Sequence, residues 1–184
     1  MRMTSREAGN MNEAAQRQVT VVGFAGFSNS GKTTLIARLV PRLKERGLRP
    51  AVIKHDGHDH YREAEGSDSE TFIRSGADAV VVMSRAAVRK FRRSRATLEE
   101  VIAGLEGECD LVLIEGFKRG SHPMVAVFRS REQAAVLREL ASPPIAWVTT
   151  CASDAEEAPA CPVFHPDEIG EIAAFIVRHM EASG

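Results

Sequence analysis

The segment from Gly26 to Thr34 constrains the fold of this 184-residue chain more than any other part. It reads GFSNSGKTT and therefore contains the pattern G-x-x-x-x-G-K-[ST]. An apolar run at residues 19–25 comes before it and a helical pattern at 33–46 follows, which predicts a strand, a loop and a helix. In that setting the glycines let backbone amides face inward at the helix N-terminus, where they can bind phosphate. The motif predicts binding of a nucleoside triphosphate.

Individual roles can be assigned within this loop. We expect Lys32 to reach the β- and γ-phosphates and to act as a catalytic cation, and the hydroxyl of Thr33 to hold Mg²⁺. The other loop residues expected to contact the nucleotide are Gly26, Ser28, Asn29, Ser30, Gly31 and Thr34.

Composition limits the remaining possibilities. The formal net charge is -1, so no overall field favours nucleic acid or a membrane as a partner. Three cysteines without C-x-x-C spacing are expected to be reduced, which indicates the cytoplasm. Residues 1–18 are polar and are expected to be a disordered leader, and residues 19–184 to be a single nucleotide-binding domain.

Strand and helix patterns alternate along the chain, which is typical of the α/β class with a mostly parallel sheet covered on both faces. We predict strands at residues 19–25, 51–54, 79–83, 111–114, 124–128 and 145–149. We predict helices at residues 33–46, 68–75, 97–105, 132–140 and 167–181.

Glu115 is the acidic residue whose position best suits a catalytic role. In sheets of this class the ligand lies beyond the carboxyl ends of the strands, and Glu115 follows the buried run 111–114 at that end. Asp110 lies at the opposite end, where a role in packing or in starting the strand is expected. Glu115 is therefore expected near Mg²⁺ and the attacking water, with a solvated carboxylate as the alternative.

A loop rich in histidine and aspartate follows the second predicted strand. It contains His55, Asp56, His58, Asp59 and His60. Such residues suit a transition metal, although residues this close in an open loop cannot easily converge on one ion. We favour a polar loop that contacts Mg²⁺, phosphate or a second substrate, with His55 or Asp56 nearest the nucleotide. A dedicated metal site and a plain solvated loop remain alternatives.

Two further segments are open to more than one interpretation. Ser67 or Asp68 is expected to cap the helix at 68–75, and the same helix N-terminus could hold an anion. The basic cluster at residues 89–95 is predicted to be a solvated surface loop. Its alternatives are a docking site for an acidic or phosphorylated partner and the lid of a kinase.

Together these segments resemble one family. The sequences GFSNSGKTT, RPAVIKHD followed by a further HD, GSDSETFIRSGA and DLVLIEGFK occur in this order. They resemble the molybdopterin-guanine dinucleotide biosynthesis adaptor proteins (MobB), over about residues 19–177. The resemblance implies a Rossmann-like P-loop NTPase fold with three α/β/α layers. It also implies a homodimer that binds GTP with Mg²⁺ and is at most a weak GTPase.

The resemblance further implies partners and site residues. Its partner would be the guanylyltransferase that joins GMP to molybdopterin, and molybdoenzyme maturation factors would be further partners. Molybdopterin or its guanine dinucleotide would be a second ligand. Beyond the phosphate loop, the nucleotide- or cofactor-binding positions carried over are His55, His58, Asp59, Asp68 and Lys118. Separately from the resemblance, the loop motif and the strand-end positions predict Thr33, Asp56 and Glu115 as metal-binding residues.

Slow turnover fits the residues that can be identified. Fast phosphoryl transfer needs charge neutralisation and a group that orients the nucleophile. The sequence identifies residues for charge neutralisation but no residue that orients the nucleophile. The alternatives are a metallochaperone GTPase, suggested by the histidine loop, a small-molecule kinase, and an interaction module with a decayed site. No N-K-x-D element marks a guanine site, although Asp154 could contact the base.

Overall fold

A computed structural model describes residues 19–55, 63–151 and 160–183. The chain divides into two compact units, one made of residues up to 55 and from 102 onward, the other of residues 56–101. Some predictions fall outside the described residues: the leader at 1–18, Asp56, His58, Asp59, His60 and Asp154.

The elements follow the alternation predicted from sequence. In chain order the strands are β1 Thr20–Ala25, β2 Pro50–Lys54, β3 Ala79–Met83, β4 Val88–Arg92, β5 Leu111–Glu115, β6 Met124–Phe128, β7 Ala146–Thr149 and β8 Val163–Phe164. The helices are α1 Lys32–Glu45, α2 Asp68–Arg74, α3 Leu98–Ala103, α4 Arg131–Ala134 and α5 Ile169–Ser183. A 3₁₀ helix at Ala135–Glu139 continues α4.

The first unit is built on a six-stranded parallel sheet with the order β2-β5-β1-β6-β7-β8. The strand β1 lies in the middle, where Thr20 pairs with Leu111 of β5 and Ala25 pairs with Ala126 of β6. The loop after β1 therefore opens between two neighbouring strands at the carboxyl edge of the sheet. This confirms the predicted α/β class and mostly parallel sheet.

Apolar side chains lie on both faces of this sheet, because successive residues of a strand point to opposite faces. Along β6, Val125 and Val127 face one apolar core, whereas Met124, Ala126 and Phe128 face the other. The first core also contains the apolar stripes of two helices that pack on it. Those residues are Leu35, Ile36, Leu39 and Leu43 of α1 and Ile169, Ile172, Ala173 and Ile176 of α5. The sequence pattern of strands buried on both sides is thus satisfied by a layer on each face.

The short connection between β5 and β6 also packs on β1. Residues 116–123 join these two strands, which lie on opposite sides of β1. Gly23 of β1 donates its amide to the carbonyl of Pro123 at 2.8 Å. A Cβ at Gly23 would overlap the side chains of His122 and Met124, so glycine is required for this close approach.

The second unit contains an antiparallel pair instead of further parallel strands. The strand β3 pairs with β4, with Met83 opposite Val88, and the helix α2 precedes them. Ser67 caps α2 by accepting from the amide of Glu70 at 3.2 Å, and Glu70 Oε2 accepts from the amide of Gly66 at 2.7 Å. No residue of the described part of this unit, 63–101, is buried.

Three sequence predictions need correction here. The cluster at 89–95 is not simply a loop, because Val88–Arg92 forms β4, in which Arg89, Lys90 and Arg92 are exposed. The predicted helix at 132–140 is one turn of α4 followed by a 3₁₀ helix. The last helix begins at Ile169, later than predicted, because residues 165–168 form a turn in which the Glu168 amide donates to the His165 carbonyl at 3.0 Å. Among the described helices, none is both long and apolar enough to cross a membrane.

Candidate functional site

The predicted phosphate loop lies between β1 and α1. Two of its residues have positive φ angles, Asn29 at 61° and Gly31 at 97°, and α1 begins directly afterwards at Lys32. The loop is close to β6 as well, since a Cβ at Gly26 would overlap the carbonyl oxygen of Val127 and the hydroxyl of Ser30. Glycine is needed at both positions, by conformation at Gly31 and by space at Gly26. The fold thus presents a helix N-terminus at the carboxyl edge of the sheet.

Lys32 folds back over the loop. Its Nζ donates to the carbonyl of Phe27 at 2.8 Å and to Ser30 Oγ at 3.4 Å. Its pKa is lowered, first by burial, which penalises the charged form, and then by Lys118 and Lys54, while Glu115 acts in the opposite direction. The ammonium group is therefore held among other cations, which an anionic ligand would neutralise.

Thr33 and Glu115 form the second part of the site. The Thr33 hydroxyl donates to Glu115 Oε1 at 2.8 Å, although the two residues are far apart in sequence. They meet because Glu115 ends β5 and pairs in register with Phe24, just before the loop that leads to Thr33. A hydroxyl and a carboxylate are hard oxygen donors, the chemistry that suits Mg²⁺. The two residues present thus fit a magnesium ion.

The residues after Glu115 form a strained turn against the end of β2. Phe117 has a φ of 48°, and its ring lies 4.1 Å from the imidazole of His55 between centroids. The amide of His55 donates to the Glu115 carbonyl at 2.9 Å. His55 is thus placed beside the Glu115 segment, in agreement with its expected position near the nucleotide end of β2.

Lys118 points over the phosphate loop. Its Nζ is 4.0 Å from the ring centroid of Phe27 and 2.9 Å from Glu139 Oε2 in the 3₁₀ helix. Lys118 was predicted from the sequence as a binding residue, whereas these two partners were not. Phe27 is one of the unspecified positions of the loop motif, and Glu139 lies in a segment where only a helix was predicted.

Asp110 lies away from this cluster. Asp110, at the far end of β5, pairs with Arg49 through Oδ1 at 2.7 Å and accepts the Arg49 amide at 2.8 Å. It therefore has the packing role expected for it. Asp68 is exposed at the first position of α2 and belongs to the second unit. Within the described residues, no group of three histidine, cysteine or acidic side chains could hold a metal ion.

Gly116 offers a test of this geometry. Its φ is 107°, and a Cβ there would lie 3.0 Å from Cβ of His55, whereas Gly107, with φ of 79°, has open space around it. We expect Gly107→Ala to lower the free energy of unfolding by about 1–2 kcal/mol through conformation alone. Gly116→Ala should cost about 1 kcal/mol more, because His55 has to move.

Urea unfolding of both variants beside the parent chain measures this difference. Equal losses for Gly116→Ala and Gly107→Ala would show that the contact with His55 has no energetic weight.

These features define a class of protein. A parallel α/β sheet with a glycine-rich loop before its first helix, and with a lysine, a threonine and a strand-end glutamate converging there, is a P-loop nucleotide-binding protein. The family model "Molybdopterin guanine dinucleotide synthesis protein B" (MobB) matches residues 21–150. The chain belongs to this family, which confirms the resemblance found in the sequence.

Individual relatives agree with this assignment. The chain is similar to a probable molybdopterin-guanine dinucleotide biosynthesis adapter protein of Bacillus subtilis, with 32% identity over 160 residues, 84% of this chain and 90% of the relative. The crystal structure of Bacillus subtilis MobB matches with a TM-score of 0.72 and 28% identity, covering 88% of this chain and 97% of that one.

The metallochaperone alternative has weaker support. The nickel-bound structure of HypB from Helicobacter pylori matches with a TM-score of 0.52, covering 97% of this chain and 95% of that one. At 15% identity this likeness shows a shared fold alone. The adaptor family is the better match in both sequence and structure.

Proposed function

We propose that this chain binds GTP with Mg²⁺ and serves as an adaptor in molybdenum cofactor biosynthesis. It would assist the guanylyltransferase that attaches GMP to molybdopterin to form molybdopterin guanine dinucleotide. The observation that carries this proposal is the family match over residues 21–150, which include both Lys32 and Glu115. The hydrogen bond between Thr33 and Glu115 supports it, because these oxygens suit the metal that accompanies a triphosphate.

The nucleotide contacts we propose are those of the phosphate loop, from Gly26 to Thr34. Lys32 and Lys118 neutralise phosphate charge, while Thr33 and Glu115 hold the magnesium ion and its water. Hydrolysis is slow in this proposal, because fast transfer also requires a group that orients the attacking water. The chain is then an accessory protein with weak GTPase activity.

A second ligand and its contacts complete the proposal. We propose that molybdopterin or its guanine dinucleotide binds near the end of β2, where His55 lies beside Phe117. From the family resemblance, His58, Asp59 and Asp68 are further proposed contacts of nucleotide or cofactor, and Asp56 is a proposed metal contact. The three cysteines are free thiols, which supports a cytoplasmic location. Residues 19–184 would act as a single functional domain.

We also propose that the protein is a homodimer. In the hairpin of β3 and β4, Val81, Met83 and Val88 share one face with the basic residues Lys90 and Arg92, and Met83 is 77% exposed. A two-stranded sheet with no buried residue in its described part lacks a core of its own. A second copy of the chain would cover the apolar part of this face, at Met83 and Val88.

Light scattering on Met83→Asp tests the dimer, with Val163→Asp on β8 as a control for adding an acid at an exposed apolar position. We expect a dimer for the parent chain and the control, and a monomer for Met83→Asp. A dimer that persists in Met83→Asp would show that the interface lies elsewhere on the chain.

Nucleotide preference is tested by calorimetric titration with Mg-GTP and Mg-ATP in parallel. Preference for GTP is expected, together with higher guanine dinucleotide formation when the chain is added to purified guanylyltransferase and molybdopterin. Preference for ATP, or no effect on the guanylyltransferase, would contradict the adaptor proposal. A turnover number near the ordinary enzyme value of about 10 s⁻¹ without a partner would contradict slow hydrolysis.

A further inference from the structure

Arg129 lies at the phosphate loop, although no sequence motif marks it. It directly follows β6, whose Ala126 pairs with Ala25 at the end of β1. Arg129 is therefore three residues beyond the last residue of β6 that pairs with β1, at the carboxyl edge of the sheet. A Cβ built on Gly31 would lie 2.5 Å from Nη2 and 3.0 Å from Cζ of Arg129. The guanidinium group thus lies against the residue that precedes Lys32.

The backbone of Arg129 is anchored while its side chain is left available. The Arg129 amide donates to Gln133 Oε1 at 3.0 Å, and the Gln133 amide donates to Ser130 Oγ at 3.3 Å. A longer contact of 3.4 Å joins Gln133 Nε2 to the carbonyl of Ser28 in the phosphate loop. Within the described residues the Arg129 guanidinium forms no hydrogen bond or ion pair, and the residue is exposed.

This arrangement differs from that of the other cations at the site. Lys32 donates to the loop itself, and Lys118 is paired with Glu139. Arg129 alone among these three has neither a carboxylate nor a carbonyl partner in the described part of the chain. A guanidinium group carries a fixed charge and a planar set of donors that matches two phosphate oxygens at once. A cation held in this way against a phosphate loop is suited to an anionic ligand.

We infer that Arg129 is a nucleotide-binding residue whose guanidinium group contacts phosphate oxygens of the nucleotide held by the phosphate loop. Gln133 is its positioning residue, because it ties the Arg129 backbone to Ser28. This inference rests on the proposed nucleotide binding. It adds a cationic residue, Arg129, which follows β6 and is not part of the loop motif.

The test is calorimetric titration of Mg-GTP and Mg-GDP into the full chain and the variants Arg129→Ala, Arg129→Lys and Arg131→Ala. Arg131 is two residues away, is exposed and starts α4, so it controls for loss of a nearby positive charge. We expect Arg129→Ala to weaken binding at least about tenfold, the loss typical of a charge-assisted hydrogen bond. Arg129→Lys should lose less, and Arg131→Ala should stay within about twofold of the parent.

Two further measurements separate direct contact from support of the loop. The unliganded melting temperature of Arg129→Ala should equal that of the parent chain, and its affinity deficit should shrink at higher salt because the contact is ionic. A lowered melting temperature with a deficit that is independent of salt would overturn the inference in favour of a structural role.

The outcomes also distinguish this inference from the proposed function. A parent chain that binds GTP, with Arg129→Ala binding equally well, would overturn the inference and leave the proposed function intact. A parent chain that binds neither GTP nor ATP would overturn both.

Discussion

Replacing Lys32 with alanine is expected to weaken binding of Mg-GTP by at least about 100-fold, since more than one charge-assisted contact to phosphate is lost. The fold should tolerate the change. The ammonium group is partly buried among Lys118 and Lys54, and its pKa is lowered mainly by desolvation. Losing this charge removes its desolvation cost together with its attraction to Glu115 and its repulsion from Lys118 and Lys54, while the loop keeps its glycines. Calorimetry measures the affinity, and thermal unfolding without nucleotide measures the stability.

Lys44→Ala is the matched control for this prediction. Lys44 lies in the last turn of the same helix, α1, and removing it changes the net charge equally. Its affinity for Mg-GTP should match that of the parent chain. If Lys32→Ala bound as tightly as Lys44→Ala, the phosphate loop would not be the nucleotide site.

Glu115→Ala is expected to raise the Mg²⁺ concentration needed for half-maximal GTP binding by about 10-fold to 100-fold. The carboxylate accepts from the Thr33 hydroxyl at 2.8 Å, so its loss leaves the hydroxyl proposed to bind magnesium without orientation and removes a negative charge. Glu115→Gln keeps an acceptor for Thr33 but not the charge, so its shift should be smaller. Titration of Mg²⁺ at a fixed GTP concentration measures this Mg²⁺ requirement for the parent chain and for both variants.

Asp110→Ala controls for the loss of an acidic residue from the same strand. Asp110 lies at the other end of β5, where it pairs with Arg49. We expect it to reduce stability slightly and to leave the Mg²⁺ dependence unchanged. An equal Mg²⁺ requirement in the Glu115 variants and the parent would return Glu115 to the role of a solvated carboxylate.

The sequence predicted the parts of the site that are local or set by strand direction. The phosphate loop is one contiguous segment, so its glycines, Lys32 and Thr33 are recognisable together. Glu115 could be placed because the carboxyl ends of parallel strands share one edge of the sheet. The structure adds that the carboxylate of Glu115 reaches the Thr33 hydroxyl, a contact that depends on the pairing of β1 with β5.

Other parts could not be predicted because they depend on which strands become neighbours. Arg129 follows a strand that was predicted correctly, but only the pairing of β6 with β1 brings it to Gly31. Glu139 lies in a helical segment whose 3₁₀ geometry no residue pattern indicated. The antiparallel partner of β3 was missed because the charges of β4 resemble a solvated loop. Edge and hairpin strands carry such charges without losing their pairing.

The central position of β1 has a consequence for synthesis on the ribosome. It is the first strand of the described chain to be made, yet its partners β5 and β6 begin at residues 111 and 124, about ninety residues or more later. The whole of the unit at 56–101 is translated in between. The nascent β1 and its glycine loop are therefore made before either neighbouring strand exists, and the loop gains its surroundings only after β6 has been made.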